Sequence, residues 1–479
     1  MPIRIHDTLS RQKKTLSPVD GEAFRFYCCG PTVYGPAHIG NFRTFLVQDV
    51  LRRALEVDGL NPRHIRNVTD VDDKTIRQSR AEGKSLQAFT VYWTEKFHAD
   101  CQALNLLPPH EEPRATAHIP EQIAMIEQLV AGGHAYVSES GSVYFKVASF
   151  QHYGELSGLD LDELRTQSTN SAGAANDADE YDRETVADFA LWKARKPEDG
   201  DNFWPSPWGE GRPGWHIECS AMSIKYLGES FDLHSGGVDL CFPHHENEIA
   251  QSECATGTRP FSHVWFHCAH LMVEGKKMSK SLGNLYTLAD LEAKGYTPME
   301  VRYALIAGHY RQQLNFTDNG LQAARSALAK IEKAIVPILK RLGVSKDEYT
   351  EKWIIASDRV ATGMFAPAWE ALCDDLNVPA ALGELFSALS ELSDPQLHDA
   401  AVAGQLQSLG GLLYALGLNP FSAEVEAVEI PEQIAAMAQA RWKAKQDKNW
   451  GEADRLRDEL TDAGWKILDR KDGYALEKA

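Results

Sequence analysis

The sequence lacks any run of about 18 apolar residues, the length a membrane-spanning helix needs, so no transmembrane segment and no membrane partner are expected. Its first residues, Met1-Pro2-Ile3-Arg4-Ile5-His6, have no apolar stretch of the kind a secretory signal requires. Neither C-x-x-C nor H-E-x-x-H occurs, so the zinc-ribbon spacing and a common zinc-hydrolase signature are both missing. The eight cysteines are scattered without disulfide-framework spacing, which points to reduced thiols and a cytoplasmic location. Positive charge is also short. There are 49 Lys and Arg against 68 Asp and Glu, for a net charge of −19, which argues against a protein whose whole surface binds nucleic acid. The segment after Pro431 is an exception, because its basic and acidic residues balance and leave room for a local basic face.

What is present begins at Tyr27-Cys28-Cys29-Gly30-Pro31-Thr32-Val33-Tyr34-Gly35-Pro36-Ala37-His38-Ile39-Gly40-Asn41. Ala23–Tyr27 reads as a strand, and Phe42, Leu46, Val50 and Ala54 mark one face of a helix that Gly59 stops. The turn between them brings a thiol, an imidazole and a helix N-terminus together. Free N–H groups at such a terminus suit phosphate, and the end of the first strand of an open α/β sheet is where nucleotides bind.

A second strand is expected over Asn61–Val68, ending in Thr69-Asp70-Val71-Asp72-Asp73-Lys74. Helices are expected over Ser85–Leu104 and Glu121–Ala131, and a hairpin over Ala135–Val147 around Ser140-Gly141. Thr166–Glu180 reads as a flexible surface loop, and Asp199–Gly214 as a Pro/Gly/Trp-rich loop. Gly214–Met222 begins a helix, Phe231–His234 is a strand, and Ser235-Gly236-Gly237-Val238-Asp239 is a turn. Phe242-Pro243-His244-His245-Glu246-Asn247-Glu248 opens another helix, and Val264–Cys268 is a further strand that leads towards Lys277-Met278-Ser279-Lys280-Ser281. Helical periodicity then dominates, over Ala323–Leu342, Ser357–Asp375, Pro379–Leu392 and Ala400–Leu416. Beyond Asn419-Pro420, helices over 431–447 and Trp450–Ala463 and a hairpin ending at Ala475 form a small terminal unit.

Cys29, Cys219, His244 and Glu248 can be assembled into a zinc set of two thiolates, an imidazole and a carboxylate. Spacing leaves the choice open. His245, Glu246 and the other cysteines compete as ligands, and two packed cysteines beside a capped helix start would explain the same residues.

Taken together, His38-Ile39-Gly40-Asn41 and the distant Lys277-Met278-Ser279-Lys280-Ser281 resemble the paired signatures of class I aminoacyl-tRNA synthetases. The stretches Cys29–Tyr34, Thr69–Lys74, Gly214–Ser220 and Phe242–Glu248 resemble the cysteinyl-tRNA synthetase family in particular, and the likeness runs the length of the chain. The resemblance implies a Rossmann-type parallel sheet with an inserted connective segment, followed by a helical bundle and a small mixed α/β anticodon-binding unit. The implied division is 1–110 and 214–285 for the halves of the catalytic domain, 111–213 for the insertion, 286–420 for the stem-contact and helical region, and 421–479 for the anticodon-binding unit.

It further implies that Cys29, Cys219, His244 and Glu248 hold one zinc per chain. Thr69, Trp215 and His234 would surround the amino acid. Gly40, Asn41, Gly237, Asp239 and Lys280 would bind ATP with its Mg2+, and His38, Lys277 and Lys280 would handle the phosphates during catalysis. The partners are then tRNA(Cys), ATP and L-cysteine, with a monomer as the family expectation. Two positions depart from the family pattern, Asn41 where histidine is common and Ser235 where glycine is usual. An alternative is a cysteine ligase acylating an amino sugar, which would have no use for the terminal unit. In that unit Arg441, Lys443 and Lys445 are candidates for tRNA phosphates, and Trp442 and Trp450 are expected to pack within it.

Overall fold

The computed structural model describes residues 1–158, 188–278, 282–355, 360–394, 397–421, 431–447, 449–470 and 473–478. The loop expected at Thr166–Glu180 and the lysine at 280 lie outside the described residues. The chain divides into two compact units, Met1–Leu288 with Pro298–Phe421, and Ala289–Thr297 with Ser422–Ala479.

The first unit is built on four parallel strands: β1 (Phe24–Cys28), β2 (Pro62–Arg66), β3 (Phe231–Gly237) and β4 (Ser262–Cys268), in the order β4-β3-β1-β2. Elements cover both faces of a parallel sheet, so its strands read as nearly unbroken buried runs, and every residue of β3 is buried. For that reason β3 outruns expectation. Ser235-Gly236-Gly237 looks like a turn, yet it continues the strand and pairs with Phe266-His267-Cys268 of β4. At residue 236 a Cβ would come 2.7 Å from the His245 ring, so glycine there is set by close packing.

Helix α1 (Ile39–Val57) connects β1 to β2. It buries Phe42, Leu46, Val50 and Ala54 as the periodicity predicts, and also Arg43, Gln48, Asp49, Arg52 and Arg53. The helix is therefore covered on several sides. Its main polar anchor is Arg302, a fully buried guanidinium. Arg302 donates to Asp49 Oδ2 at 2.6 Å and to the carbonyls of Leu104 at 3.0 Å, Asn105 at 2.9 Å and Leu416 at 3.0 Å.

The inserted region carries a four-stranded antiparallel sheet over Ala135–Val137, Val143–Phe145, Phe189–Ala194 and Gly211–Pro213. The expected hairpin is its first half. The Asp199–Gly214 segment contributes an edge strand as well as loop. Helix α2 (Trp215–Leu227) follows directly, then β3 and helix α3 (Glu246–Thr256). Helix α3 opens four residues later than expected, because Phe242 is extended (φ −139°, ψ 133°) and His244 and His245 sit in an irregular turn before it.

The later helices run over Asp318–Leu342, Val378–Leu392 and Asp399–Leu416. The helix expected over Ser357–Asp375 shrinks to Ala366–Cys373, since Gly363 takes φ +61° and Pro367 is suited only to the first turn. The second unit pairs helices Glu432–Gln446 and Trp450–Asp462 with a hairpin of Trp465–Arg470 and Gly473–Lys478, around Ile434, Ala438, Leu460, Trp465 and Ile467. Two expectations need correction here. Trp450 is 58% exposed, whereas Trp442 packs near Tyr474, and Arg441 is buried, so its guanidinium is not a surface cation.

Candidate metal centre and nucleotide site

Successive side chains alternate at a strand end, and Cys28 and Cys29 part company there. Cys28 has Arg66 and Arg52 as its charged neighbours, while Cys29 turns to the other side. The Cys29 sulfur lies 3.8 Å from Cys219 Sγ at the first turn of α2 and 3.7 Å from Glu248 Oε1 on α3. His244 Nε2 is 3.1 Å from the same Glu248 oxygen. One donor atom each from Cys29, Cys219, His244 and Glu248 falls within 4.8 Å of all the others, and all four residues are buried.

Cys29, His234, His245 and Glu248 satisfy the same geometric condition. The two sets share Cys29 and Glu248, and the histidines of both have other partners, His244 Nδ1 lying 3.0 Å from His216 Nδ1. His245 Nδ1 is 2.8 Å from His267 Nε2, and His234 Nε2 is 2.9 Å from Glu248 Oε2. The first set also has two thiols, which suits a soft cation. Its donors share protons that a bound cation would displace. The bond with Cys29 brings the Cys219 thiol down to about 6 despite burial, while burial and that same bond hold the Cys29 thiol well above its ordinary value. Burial pulls His244 down and pushes Glu248 up, but their mutual attraction, together with Cys219 for His244 and His234 for Glu248, wins and puts them at about 10 and about 2. These four residues fit a divalent metal ion.

A chain of hydrogen bonds ties the thiols to their surroundings. The Gly30 N–H donates to Asn67 Oδ1 at 2.8 Å, Asn67 Nδ2 donates to Thr69 Oγ1 at 3.3 Å, and that hydroxyl donates to Glu218 Oε2 at 3.0 Å. Burial, with Cys219 and Asp72 adding to it, holds the Glu218 carboxyl well above its ordinary value. At residue 30 a Cβ would fall 1.6 Å from the Asn67 carbonyl oxygen, so only glycine allows this approach. Trp215 stacks on His244 at 4.2 Å, and His234 stacks on Trp265 at 4.6 Å. Thr69, Trp215 and His234 thus gather around the metal cluster. Asn67 and Glu218 join them without having been singled out in the sequence. Glu218 reads there as an ordinary first-turn acid, and its adjacency to Cys219 was the one available signal.

The nucleotide side is organised by His38, the N-cap of α1. His38 Nδ1 accepts the Asn41 N–H at 3.3 Å, and Asn41 Oδ1 accepts the His38 N–H at 3.1 Å. This reciprocal capping box gives Asn41 a definite task. Burial lowers the His38 pKa, with Asp239 opposing in part. The ring is therefore neutral near pH 7, and because Nδ1 accepts, Nε2 carries the proton and is the donor. The helix terminus offers fewer free donors than its sequence implies. The Ile39 N–H goes to Tyr286 O at 2.9 Å and the Phe42 N–H to His38 O at 3.2 Å, which leaves the Gly40 N–H as the open one among the described residues.

Gly40 also joins the two signatures, because a Cβ there would sit 3.1 Å from His38 Nδ1 and 3.3 Å from Met278 Sδ. Gly237 is bounded in the same way, a Cβ at that position coming 2.3 Å from Asp239 Oδ1. At the unusual Ser235, the hydroxyl accepts Gln48 Nε2 at 2.9 Å. Lys277 is exposed and pairs with Met272 in a short antiparallel ladder.

A parallel sheet with a histidine-capped first helix, whose Gly40 is approached by Met278, places the chain among the class I aminoacyl-tRNA synthetases. Residues 15–326 match the family model described as tRNA synthetases class I (C) catalytic domain. The fold agrees, since methionyl-tRNA synthetase of Mycobacterium tuberculosis superposes with a TM-score of 0.55 at 14% identity over 84% of this chain and 92% of that one. Leucyl-tRNA synthetase of Agrobacterium radiobacter K84 gives 0.57 at 12% identity over 83% and 84%. Residues 427–474 match the cysteinyl-tRNA ligase anticodon binding domain. The cysteine–tRNA ligase of Opitutus terrae is 52% identical over all of both chains, and that of Chlamydia muridarum is 44% identical, again over all of both. The chain belongs to the cysteine–tRNA ligase family and is an aminoacyl-tRNA ligase. Among the described residues no helix is long and apolar enough to cross a membrane.

Proposed function

We propose that the chain activates L-cysteine with ATP and transfers it to the 3′ end of tRNA(Cys) in the cytoplasm, acting as a monomer. The observation that carries the substrate assignment is the buried cluster of Cys29, Cys219, His244 and Glu248 beside the sheet edge where α1 begins. These four residues would hold one zinc ion. Zinc supplies a soft Lewis acid that prefers the thiolate of cysteine to the alcohol of serine, a distinction an apolar pocket draws by only about 10²-fold.

The chain's own residues then act by position and charge. Thr69, Trp215 and His234 enclose the amino acid. Its carboxylate oxygen attacks the α-phosphorus of ATP, and pyrophosphate leaves with its Mg2+. The neutral His38 donates from Nε2 to the phosphates, Asn41 holds that ring, and the Gly40 N–H adds a second donor. Gly237 and Asp239 border the ribose. Lys277 and Lys280 neutralise the departing pyrophosphate. A hydroxyl at the tRNA 3′ end next attacks the activated carbonyl and releases AMP. The five-part division at residues 110, 213, 285 and 420 follows from the same reading. An amino-sugar ligase is disfavoured by the match to an anticodon-binding domain at 427–474.

Pyrophosphate exchange and charging of total tRNA, run with each amino acid in turn, test the proposal. Cysteine alone should support both reactions. Exchange without tRNA charging would favour the amino-sugar ligase, and no cysteine-dependent exchange would refute the assignment.

A further inference from the structure

The Glu218 side chain is fully buried, and its two carboxylate oxygens are treated unequally. Oε2 accepts the Thr69 hydroxyl, whereas Oε1 has no hydrogen-bond partner among the described residues. An unpaired buried acceptor is expensive to maintain. Two other carboxylates with an orphaned oxygen have a cation at hand, Glu121 with Lys225 at 2.6 Å and Glu253 with Arg259 at 3.4 Å. No cation pairs with Glu218 among the described residues, and the charged groups that act on it most, Cys219, Asp72 and Asp70, are acidic. The position lacks a donor of positive charge. Its carboxyl has Cys219 as its strongest charged neighbour and accepts from Thr69, so whatever fills the position would lie beside the four-residue cluster.

We infer that Glu218 Oε1 accepts the α-ammonium group of the amino-acid substrate, an assignment that rests on the cysteine-activating reading above. Cysteine presents the complementary pattern, a thiol for the metal cluster and, three bonds away, an ammonium group with three donors. Thr69 then has a positioning role, since its hydroxyl fixes the carboxylate so that Oε1 is left for the substrate. Specificity comes from two points, sulfur at the cluster and nitrogen at Glu218. A thiol acid without the amine should leave Oε1 unpaired and bind less well.

The test uses the zinc-loaded full chain and its Glu218→Gln variant, with zinc content confirmed in each. Calorimetry compares L-cysteine, cysteamine, which keeps thiol and amine, and 3-mercaptopropionate, which keeps thiol and carboxylate. The variant should lose about tenfold or more in affinity for cysteine and cysteamine, the scale of a hydrogen bond to a charged group, while 3-mercaptopropionate changes little. Equal losses for all three, or no loss for the amines, would overturn the assignment and leave a structural carboxyl. Cysteine-dependent pyrophosphate exchange by the parent chain separates this failure from failure of the cysteine-activating reading. If the variant does not hold zinc, a crystal structure of the parent chain with cysteine decides. The substrate nitrogen should then lie at hydrogen-bond distance from Oε1, and a nitrogen bonded elsewhere would refute the inference.

Discussion

The sulfurs of Cys29 and Cys219 stand 3.8 Å apart although 190 residues separate them in sequence. One ends the first strand and the other begins the helix that follows the insertion, so the cluster exists only once both halves of the sheet have come together. We expect one zinc per chain by metal analysis. Cys219→Ser should weaken zinc binding by more than about 100-fold, beyond what outer-shell changes usually cost. Cys28→Ser should keep full zinc, because Cys28 lies towards Arg66 and Arg52. Full zinc in Cys219→Ser would remove the assignment.

The pairing of His38 with Asn41 sets a second expectation. Asn41→His should keep pyrophosphate exchange within about tenfold, or roughly 1.4 kcal/mol, because an imidazole nitrogen can replace the amide oxygen as acceptor. Asn41→Ala removes that acceptor and should cost about 1 kcal/mol of helix stability together with a slower activation step. An alanine variant as fast as the parent would show that the capping box does not orient His38.

Gly40 touches both the His38 ring and Met278 through its missing side chain. Gly40→Ala should slow adenylate formation about tenfold or more while leaving cysteine affinity nearly unchanged, the pattern of an interaction made mainly in the transition state. Equal losses in both quantities, read by single-turnover kinetics and calorimetry, would indicate general damage to the fold.

A pH expectation comes from Asp49. Burial alone would raise its carboxyl, but Arg53 and Arg302 outweigh this and hold it below the ordinary value. A depressed acid contributes stability that is complete above the unfolded value of about 3.9 and fades as pH falls through the folded one. Asp49→Asn should flatten the acid limb of a stability profile measured by urea unfolding. At pH 7 it should cost about 3–5 kcal/mol, since a buried guanidinium loses its counter-charge. An unchanged profile would contradict this account of the pair.

Removal of residues 422–479 should leave cysteine-dependent exchange nearly intact, as the cluster and both signature motifs precede that boundary. Charging of tRNA should fall through weaker binding, with a shallower dependence on salt. Lys443 and Trp450 are exposed and are among the groups open to such binding, whereas the buried Arg441 is not. Undiminished charging by the truncated chain would refute an RNA-binding role for the unit.

Much of this was legible in the sequence. Short apolar runs located the strands of the parallel sheet, and Gly and Pro signals bounded several of the helices. The clustering of Cys29, Cys219, His244 and Glu248 was legible, although spacing left His245 in competition, and the structure shows why, since that ring also faces Cys29 at 3.4 Å. The misses share a cause. Gly236-Gly237 reads as a turn because local sequence cannot reveal the neighbouring strand that pairs with it. Glu218 reads as a helix-end acid because its distinction, an oxygen without a partner in a buried acidic corner, exists only after Thr69 arrives from elsewhere in the chain.

Arg302 bears on the order in which the molecule can be completed during synthesis. Its guanidinium is satisfied by Asp49, Leu104, Asn105 and Leu416. A nascent chain that has not yet released residue 416 from the ribosome therefore holds a cation whose last acceptor does not exist. Until then the helix beginning at His38 keeps an unfinished contact at its centre. The catalytic half, although encoded first, gains the last acceptor for this buried cation only when nearly nine-tenths of the protein has been made, so a chain that stops short of residue 416 lacks one of the contacts that hold that helix.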